Sequence, residues 1–268
     1  MTTTPPAPQF ATSKDGTRIA YDVTGNGPPL VVVNGALSVR TFSFARKMVE
    51  ALAAHFTVYN FDRRGRGDSG DTQPYAVARE VEDVAAVCKA AGGKPYVVGL
   101  SSGAALALEA AASGVVMAGL YAYEPPYVKD QAGDKTDPDF QEKLDAFAAK
   151  DDRSGAVSYF MRTVGVPGFG VAIMKMLPMW KVMKGVAHTL PYDARVMARF
   201  AVPTKRLALV QVPTTLAAGA KTTPAILAGV AAAAKAVPGA AHRIVPKANH
   251  GIKPALLTAE VAQVFKGA

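Results

Sequence analysis

Tyr96-Val97-Val98-Gly99-Leu100-Ser101-Ser102-Gly103 is the stretch on which the fold turns. Its aromatic and β-branched start reads as a short strand, and the Ala/Leu run that follows Gly103 reads as a helix. A strand that passes directly into a helix must turn sharply, and Gly99 and Gly103 remove the Cβ atoms that would clash in that turn. A serine at its apex projects its hydroxyl into a cleft at the carboxyl end of a sheet. There it faces the free N–H groups and the positive dipole end of the helix. Ser101 is therefore the candidate nucleophile. The bland reading, a small-residue turn needed only for packing, has the flanking strand and helix against it.

Outward from this turn the chain alternates. Phe10 to Val23, with Asp15-Gly16 at its middle, reads as a β-hairpin. Pro29 to Val33, Phe56 to Phe61, Tyr96 to Val98, Ala118 to Tyr123, Thr214 to Ala218 and His242 to Val245 are short apolar runs, of the kind buried on both faces of a parallel sheet. Helical patterns separate them, including Ser43 to His55 and Pro74 to Ala91. This predicts an α/β fold, a mainly parallel sheet flanked by helices with right-handed crossovers. Between Pro125 and about Leu207 the alternation stops, and the pattern becomes helical over 140–149, 154–164, 171–186 and 192–200. The expected organisation is a loose N-terminal tail over 1–9, a core of 10–124 and 208–268, and an inserted helical cap over 125–207.

The composition fits a globular protein: 268 residues, half of them hydrophobic and 19% charged. The net charge of +9 raises nucleic acid as a partner. The basic residues are scattered, however, and the densest group, Arg63, Arg64 and Arg66, lies between Asp62 and Asp68, so a solvated basic surface is expected and nucleic-acid binding is not. The apolar stretch from Gly103 to Tyr123 is divided by Glu109 and Ser113-Gly114 and reads as helix plus strand, not as a membrane span. The single Cys88 falls at helical spacing with Val77, Val81 and Val84 and reads as buried filler. With no signal-like start at Met1 to Gln9, the cytoplasm is the default setting. A homodimer is left open. No dinucleotide loop, phosphate loop or metal cluster is present in the sequence, so no cofactor and no metal is expected.

The elbow in its strand-to-helix setting, together with the alternation from Phe10 to Phe265, resembles the α/β-hydrolase fold. In that family a loop beginning His-Gly after the third strand supplies an oxyanion-hole N–H; here the strand ends in Asn34-Gly35-Ala36. By position, the resemblance implies that the backbone N–H groups of Ala36 and Ser102 hold the oxyanion, with Asn34 and Gly35 bordering the substrate. Asn60 to Ser69 resembles the family's Asp-Arg-x-Gly-x-Gly-x-Ser segment, whose role is structural, so Asp62 and Asp68 read as loop braces. A serine needs a base, usually histidine. Of His55, His188, His242 and His250, only His250, in Lys247-Ala248-Asn249-His250-Gly251, sits in the loop after the last strand where the family keeps its catalytic histidine.

The acid departs from the family pattern. Most relatives place an aspartate just beyond the seventh strand, where this chain has Gly219-Ala220-Lys221-Thr222-Thr223-Pro224 and no carboxylate. Glu124 ends the strand next to the one carrying Ser101 and emerges at the same edge, so it is the candidate that orients His250. A Ser–His pair without an acid, or a Glu124 that only caps the Pro125-Pro126 turn, stays open. In the cap, Met161, Met176, Trp180 and His188 are candidate substrate contacts on an apolar underside, although most such residues serve a cap's own core. These readings converge on a serine hydrolase acting on a small apolar ester or lactone through an acyl-enzyme. Carbon–carbon bond hydrolysis or perhydrolysis would use the same atoms, and a ligand-binding protein without turnover is the alternative of another class.

Overall fold

The computed structural model describes residues 7–265. Its hairpin is β1 (Gln9–Thr12) and β2 (Arg18–Thr24), followed by β3 (Pro29–Val33), α1 (Ser43–Leu52), β4 (Thr57–Phe61), α2 (Val77–Ala90), β5 (Tyr96–Leu100), α3 (Ser102–Ala112) and β6 (Gly119–Tyr123). After a long helical insert come β7 (Thr214–Gly219), α10 (Pro224–Ala236), β8 (Ala241–Val245) and α11 (Pro254–Val264). The eight strands form one sheet in the order β1-β2-β4-β3-β5-β6-β7-β8, antiparallel only where β1 meets β2 and β2 meets β4. The tail expected over 1–9 lies mostly outside the described residues, and Gln9 already belongs to β1.

Apolar runs with no polar alternation form these strands because both faces are covered. Along β3, Val31 and Val33 join one core cluster with residues of α2, α3 and α10, while Leu30 and Val32 join the other with residues of α1 and α11. The same alternation divides Leu120 and Ala122 from Tyr121 and Tyr123 in β6. All parallel strands therefore end at one edge, and β3, β5, β6 and β7 deliver their following loops there side by side.

The insert comprises α4 (Phe140–Ala149), α5 (Arg153–Thr163), α6 (Gly168–Met174), α7 (Met179–Gly185), α8 (Leu190–Val196) and α9 (Thr204–Leu207). The single helix expected over 171–186 is two, interrupted before Pro178, whose ring cannot continue an upstream helix. The helix expected over 192–200 ends early, because Ala198, Arg199 and Phe200 all take positive φ. A third apolar cluster unites the insert with the core. It holds Phe140, Leu144, Val171, Trp180 and Phe200 together with Leu37 and Val39 from the loop after β3.

The densest basic group departs from the expected solvated surface. Arg63, Arg64 and Arg66 do not form a solvated basic surface: each is at most 2% exposed and each is paired with buried carboxylates. A buried guanidinium is tolerated only with an anion in hydrogen-bonding contact, and Glu80, Asp83 and Asp193 supply them. Asp62 and Asp68 brace the same loop. Asp62 accepts from the Asp68 and Arg40 N–H groups at 3.1 and 2.6 Å, and Asp68 pairs with Arg40.

Candidate active site

Ser101 leaves β5 with φ 55° and ψ −124°, a backbone conformation that costs a non-glycine residue roughly 1–3 kcal/mol. Its neighbours hold it there. The Ser101 N–H donates to the Tyr123 carbonyl at 2.9 Å, continuing the β5–β6 ladder, and its own carbonyl accepts from Ala104 and Ala105 at 2.9 and 3.2 Å. A Cβ on Gly99 would lie 2.6 Å from the Ala104 Cα, and one on Gly103 would overlap the Val33 carbonyl oxygen. Both glycines are therefore needed for α3 to start this close to the sheet.

The strand edges bring Ser101, His250 and Glu124 into one line. His250 Nε2 lies 3.2 Å from Ser101 Oγ, and His250 Nδ1 lies 2.6 Å from Glu124 Oε2. A carboxylate at Nδ1 selects the tautomer with its proton there, which leaves Nε2 free to accept the serine proton. The histidine side chain is half exposed and the glutamate is fully buried.

Glu124 reaches this position because the chain turns at the end of β6. Its N–H donates to the Ala217 carbonyl at 2.9 Å, and its φ is 48°. The carboxylate accepts from Gly219 N–H at 2.8 Å and from the Thr222 hydroxyl at 3.2 Å besides meeting His250. Its hydrogen-bonding capacity goes to these three partners, which offsets the cost of burying it. The loop after β7, which lacks an acid, thus supplies donors to one that comes from β6.

Sequence reasoning missed Gly219, Thr222 and Tyr123. The Tyr123 hydroxyl donates to the Asn249 carbonyl at 2.7 Å, and Lys221 N–H donates to the Ala248 carbonyl at 2.8 Å, so the His250 loop is tied to β6 and to the β7 loop. Gly219 must lack a side chain, since a Cβ there would lie 2.5 Å from the Ala248 carbonyl. The empty acid position was the one visible signal that the β7 loop had another use.

Gly35 sits against the elbow: a Cβ on it would be 3.0 Å from the Leu100 carbonyl and 3.2 Å from Ser101 Cβ. Among the described residues, neither the Ala36 nor the Ser102 N–H donates to another protein group. Ser102 follows the serine in the chain, and Ala36 follows the glycine that packs against it. Asn34 differs from its expectation as a substrate contact. It is 6% exposed, and its amide donates to Asn60 Oδ1 at 2.7 Å, bracing the loop from within.

The insert candidates divide between the insert's apolar cluster and its surface. Trp180 is buried with Val171 and Met183 in the insert's own core, and Met161 packs against that cluster. Met176 is 79% exposed, in the turn that breaks the expected helix. His188 is half buried, against Phe147, Arg153 and Ala187, and its Nδ1 has no partner among the described residues. Burial, reinforced by the Arg153 charge, lowers its pKa. These placements follow from one need: the insert must build a core from the residues its helices present. Among the described residues no group of three or more His, Cys, Asp and Glu side chains could hold a metal ion, and no helix is long and apolar enough to cross a membrane.

A mainly parallel sheet thus carries at one edge an elbow serine in line with a histidine and a carboxylate. The family model described as "Alpha/beta hydrolase family" matches residues 30–264. The chain belongs to the α/β-hydrolase family. It is 45% identical to an α/β hydrolase of known structure from Sphaerobacter thermophilus, with a TM-score of 0.88 over 96% of this chain and 100% of that one. A thermophilic esterase from Thermogutta terrifontis shares the fold at 22% identity and a TM-score of 0.71, covering 96% of this chain and 97% of its own. The enol-lactonase from Burkholderia xenovorans does so at 21% identity and 0.69, covering 96% and 99%. In this α/β hydrolase the insert lies between β6 and β7.

Proposed function

We propose that this α/β hydrolase cleaves a carboxylic ester or lactone through an acyl-enzyme formed on Ser101. The observation that carries the reading is the line Ser101 Oγ, His250 Nε2, His250 Nδ1, Glu124 Oε2, with separations of 3.2 and 2.6 Å across its two gaps. In this scheme Ser101 Oγ attacks the carbonyl carbon as its proton passes to Nε2. The developing oxyanion is held by the Ala36 and Ser102 N–H groups, each such donor being worth about 3 kcal/mol of barrier. His250 returns the proton to the leaving alkoxide, and in a lactone that alcohol stays tethered to the acyl group. Water then attacks the acyl carbon as Nε2 takes its proton, and Nε2 passes that proton to Ser101 Oγ as the acyl–oxygen bond breaks and the free acid forms. Glu124 orients the imidazole and stabilises its charged form throughout.

An apolar acyl or ring group is proposed because Leu37 and Val39, just past the oxyanion loop, belong to the insert's apolar cluster. A cytoplasmic setting belongs to the same proposal and rests on the single free Cys88. The test is a fluorophosphonate probe together with a panel of nitrophenyl esters and lactones. Wild type is expected to be labelled and to turn over, while Ser101→Ala is folded, unlabelled and at least ~10³-fold slower. Labelling that survives in Ser101→Ala would place the nucleophile elsewhere. No labelling and no turnover in wild type would favour a ligand-binding protein.

A further inference from the structure

We propose that Asp193, reaching from α8 of the insert, is a positioning residue for both oxyanion donors, acting through Arg66 on the Gly35–Ala36 peptide and directly on the Ser102 hydroxyl. The proposal rests on the hydrolase reading above for its catalytic consequence. Its structural basis is a buried cluster that the three-residue chemistry does not use. Asp193 Oδ2 accepts from Arg66 Nη2 at 2.7 Å, and Arg66 Nη1 donates to the Gly35 carbonyl at 2.8 Å. Asp193 Oδ1 accepts from the Ser102 hydroxyl at 2.8 Å and from Arg63 Nη1 at 2.6 Å. Arg63 also donates to Ser102 Oγ at 3.2 Å and makes a two-point contact with Glu80 at 2.7 and 2.9 Å.

Peptide geometry turns the Arg66 contact into control of a proton donor. The Gly35 carbonyl and the Ala36 N–H belong to one planar trans unit and point in opposite directions. With the carbonyl held on Arg66, the N–H is fixed toward the other side of the loop. A Cβ on Gly35 would lie 3.2 Å from Ser101 Cβ, so this peptide borders the nucleophile. A guanidinium on the carbonyl also polarises the peptide and strengthens the N–H as a donor. The second donor is anchored from its side chain: Ser102 is fully buried, its hydroxyl is held by Asp193, and its N–H opens the first turn of α3.

The charges of this cluster balance, with Arg63 and Arg66 against Glu80 and Asp193. Burial pushes the Asp193 carboxyl upward in pKa, but Arg66, Arg63 and the Ser102 hydroxyl outweigh it and hold the group below its ordinary value. It stays ionised. Buried ion pairs add little stability compared with apolar residues of the same volume. What they do impose is direction, and the directions imposed here end on the two peptides beside the nucleophile. Arg64 and Asp83 form a comparable buried pair, with contacts at 2.7 and 2.7 Å, yet they touch neither of those peptides. They are a built-in control.

The test uses the full chain and four variants, Asp193→Asn, Arg66→Lys, Ser102→Ala and Asp83→Asn. In Arg66→Lys one ammonium replaces a fork that spans Gly35 and Asp193, so the peptide loosens while the charge remains. Asp193→Asn and Arg66→Lys are expected to lower kcat about 10²-fold with KM changed less than about threefold. Ser102→Ala is expected to lower it about tenfold, because its N–H survives. Affinity for a trifluoromethyl ketone, which forms the oxyanion on binding, falls in parallel with kcat/KM, whereas Asp83→Asn lowers Tm and leaves kcat alone.

Unchanged kcat in folded Arg66→Lys and Ser102→Ala would overturn the proposal, and so would losses that track Tm as in Asp83→Asn. If Asp193→Asn fails to fold, the other two variants decide. A crystal structure of Arg66→Lys supplies an arm that needs no activity: the Gly35–Ala36 peptide is expected to turn, and an unmoved peptide overturns the positioning role. If wild type shows neither labelling nor turnover, the hydrolase reading fails, and this structural arm still decides the positioning.

Discussion

Glu124 shows what a single residue does when the family's usual position is empty. Its carboxylate approaches His250 from β6, and the β7 loop that would ordinarily carry the acid donates Gly219 N–H and the Thr222 hydroxyl to it. Glu124→Gln keeps the volume and the Gly219 N–H contact on Oε1, but an amide nitrogen in the place of Oε2, facing Nδ1, favours the tautomer protonated at Nε2. That tautomer cannot take the Ser101 proton. Turnover is expected to fall about 10³- to 10⁴-fold with Tm little changed, measured on the ester that wild type hydrolyses fastest. A variant as fast as wild type would remove Glu124 from the chemistry. Ser101, His250 and Glu124 were legible because each is marked by its place next to a strand end. Asp193 and Arg66 were not, since they are 127 residues apart and a charge pair across that distance leaves no spacing to read. Trp180, buried, and Met176, exposed, could not be told apart for a related reason: composition marks a residue as apolar but does not say which side of its helix meets a core.

At the scale of elements, α3 is held against β3 by the absence of one side chain. A Cβ on Gly103 would overlap the carbonyl oxygen of Val33 and crowd that of Asn34, both of them backbone atoms that cannot swing away. Gly103→Ala must therefore lift the first turn of α3, and with it Ser101 and the Ser102 N–H. Overpacking of this kind typically costs about 1–3 kcal/mol, so a lowered Tm is expected together with a fall in kcat larger than the loss of folded protein explains. An alanine variant with wild-type Tm and rate would show that α3 has room to spare. The strands of the core could be read within a residue or two, because each is an apolar run closed by turn residues. Two insert helices, α4 and α5, also fall within a residue of their expected spans; the spans 171–186 and 192–200 differ, the first at a break that Pro178 itself marks and the second at Ala198 to Phe200, whose positive φ nothing in their residue types announces.

For the whole molecule, the question is whether the insert can open while the sheet stays folded. Its apolar cluster incorporates Leu37 and Val39 of the core, and its Asp193 is the anion shared by Arg63 and Arg66. Withdrawing the insert alone would leave two guanidiniums short of a partner inside the core, at a cost of about 3–5 kcal/mol for a broken buried pair. That is a large part of the stability of an ordinary domain. Insert and core should therefore unfold together. The chain's single tryptophan, Trp180, lies 5% exposed inside the insert, so its fluorescence reports that layer, while far-UV circular dichroism reports all the helices and the sheet. In urea the two curves are expected to coincide for wild type, the signature of one cooperative transition. In Asp193→Asn, where the link is weakened on the insert side, the tryptophan curve is expected to move to lower urea than the dichroism curve. A wild-type tryptophan transition that precedes the loss of dichroism would mean that the insert opens on its own and that the buried charges do not couple the two layers.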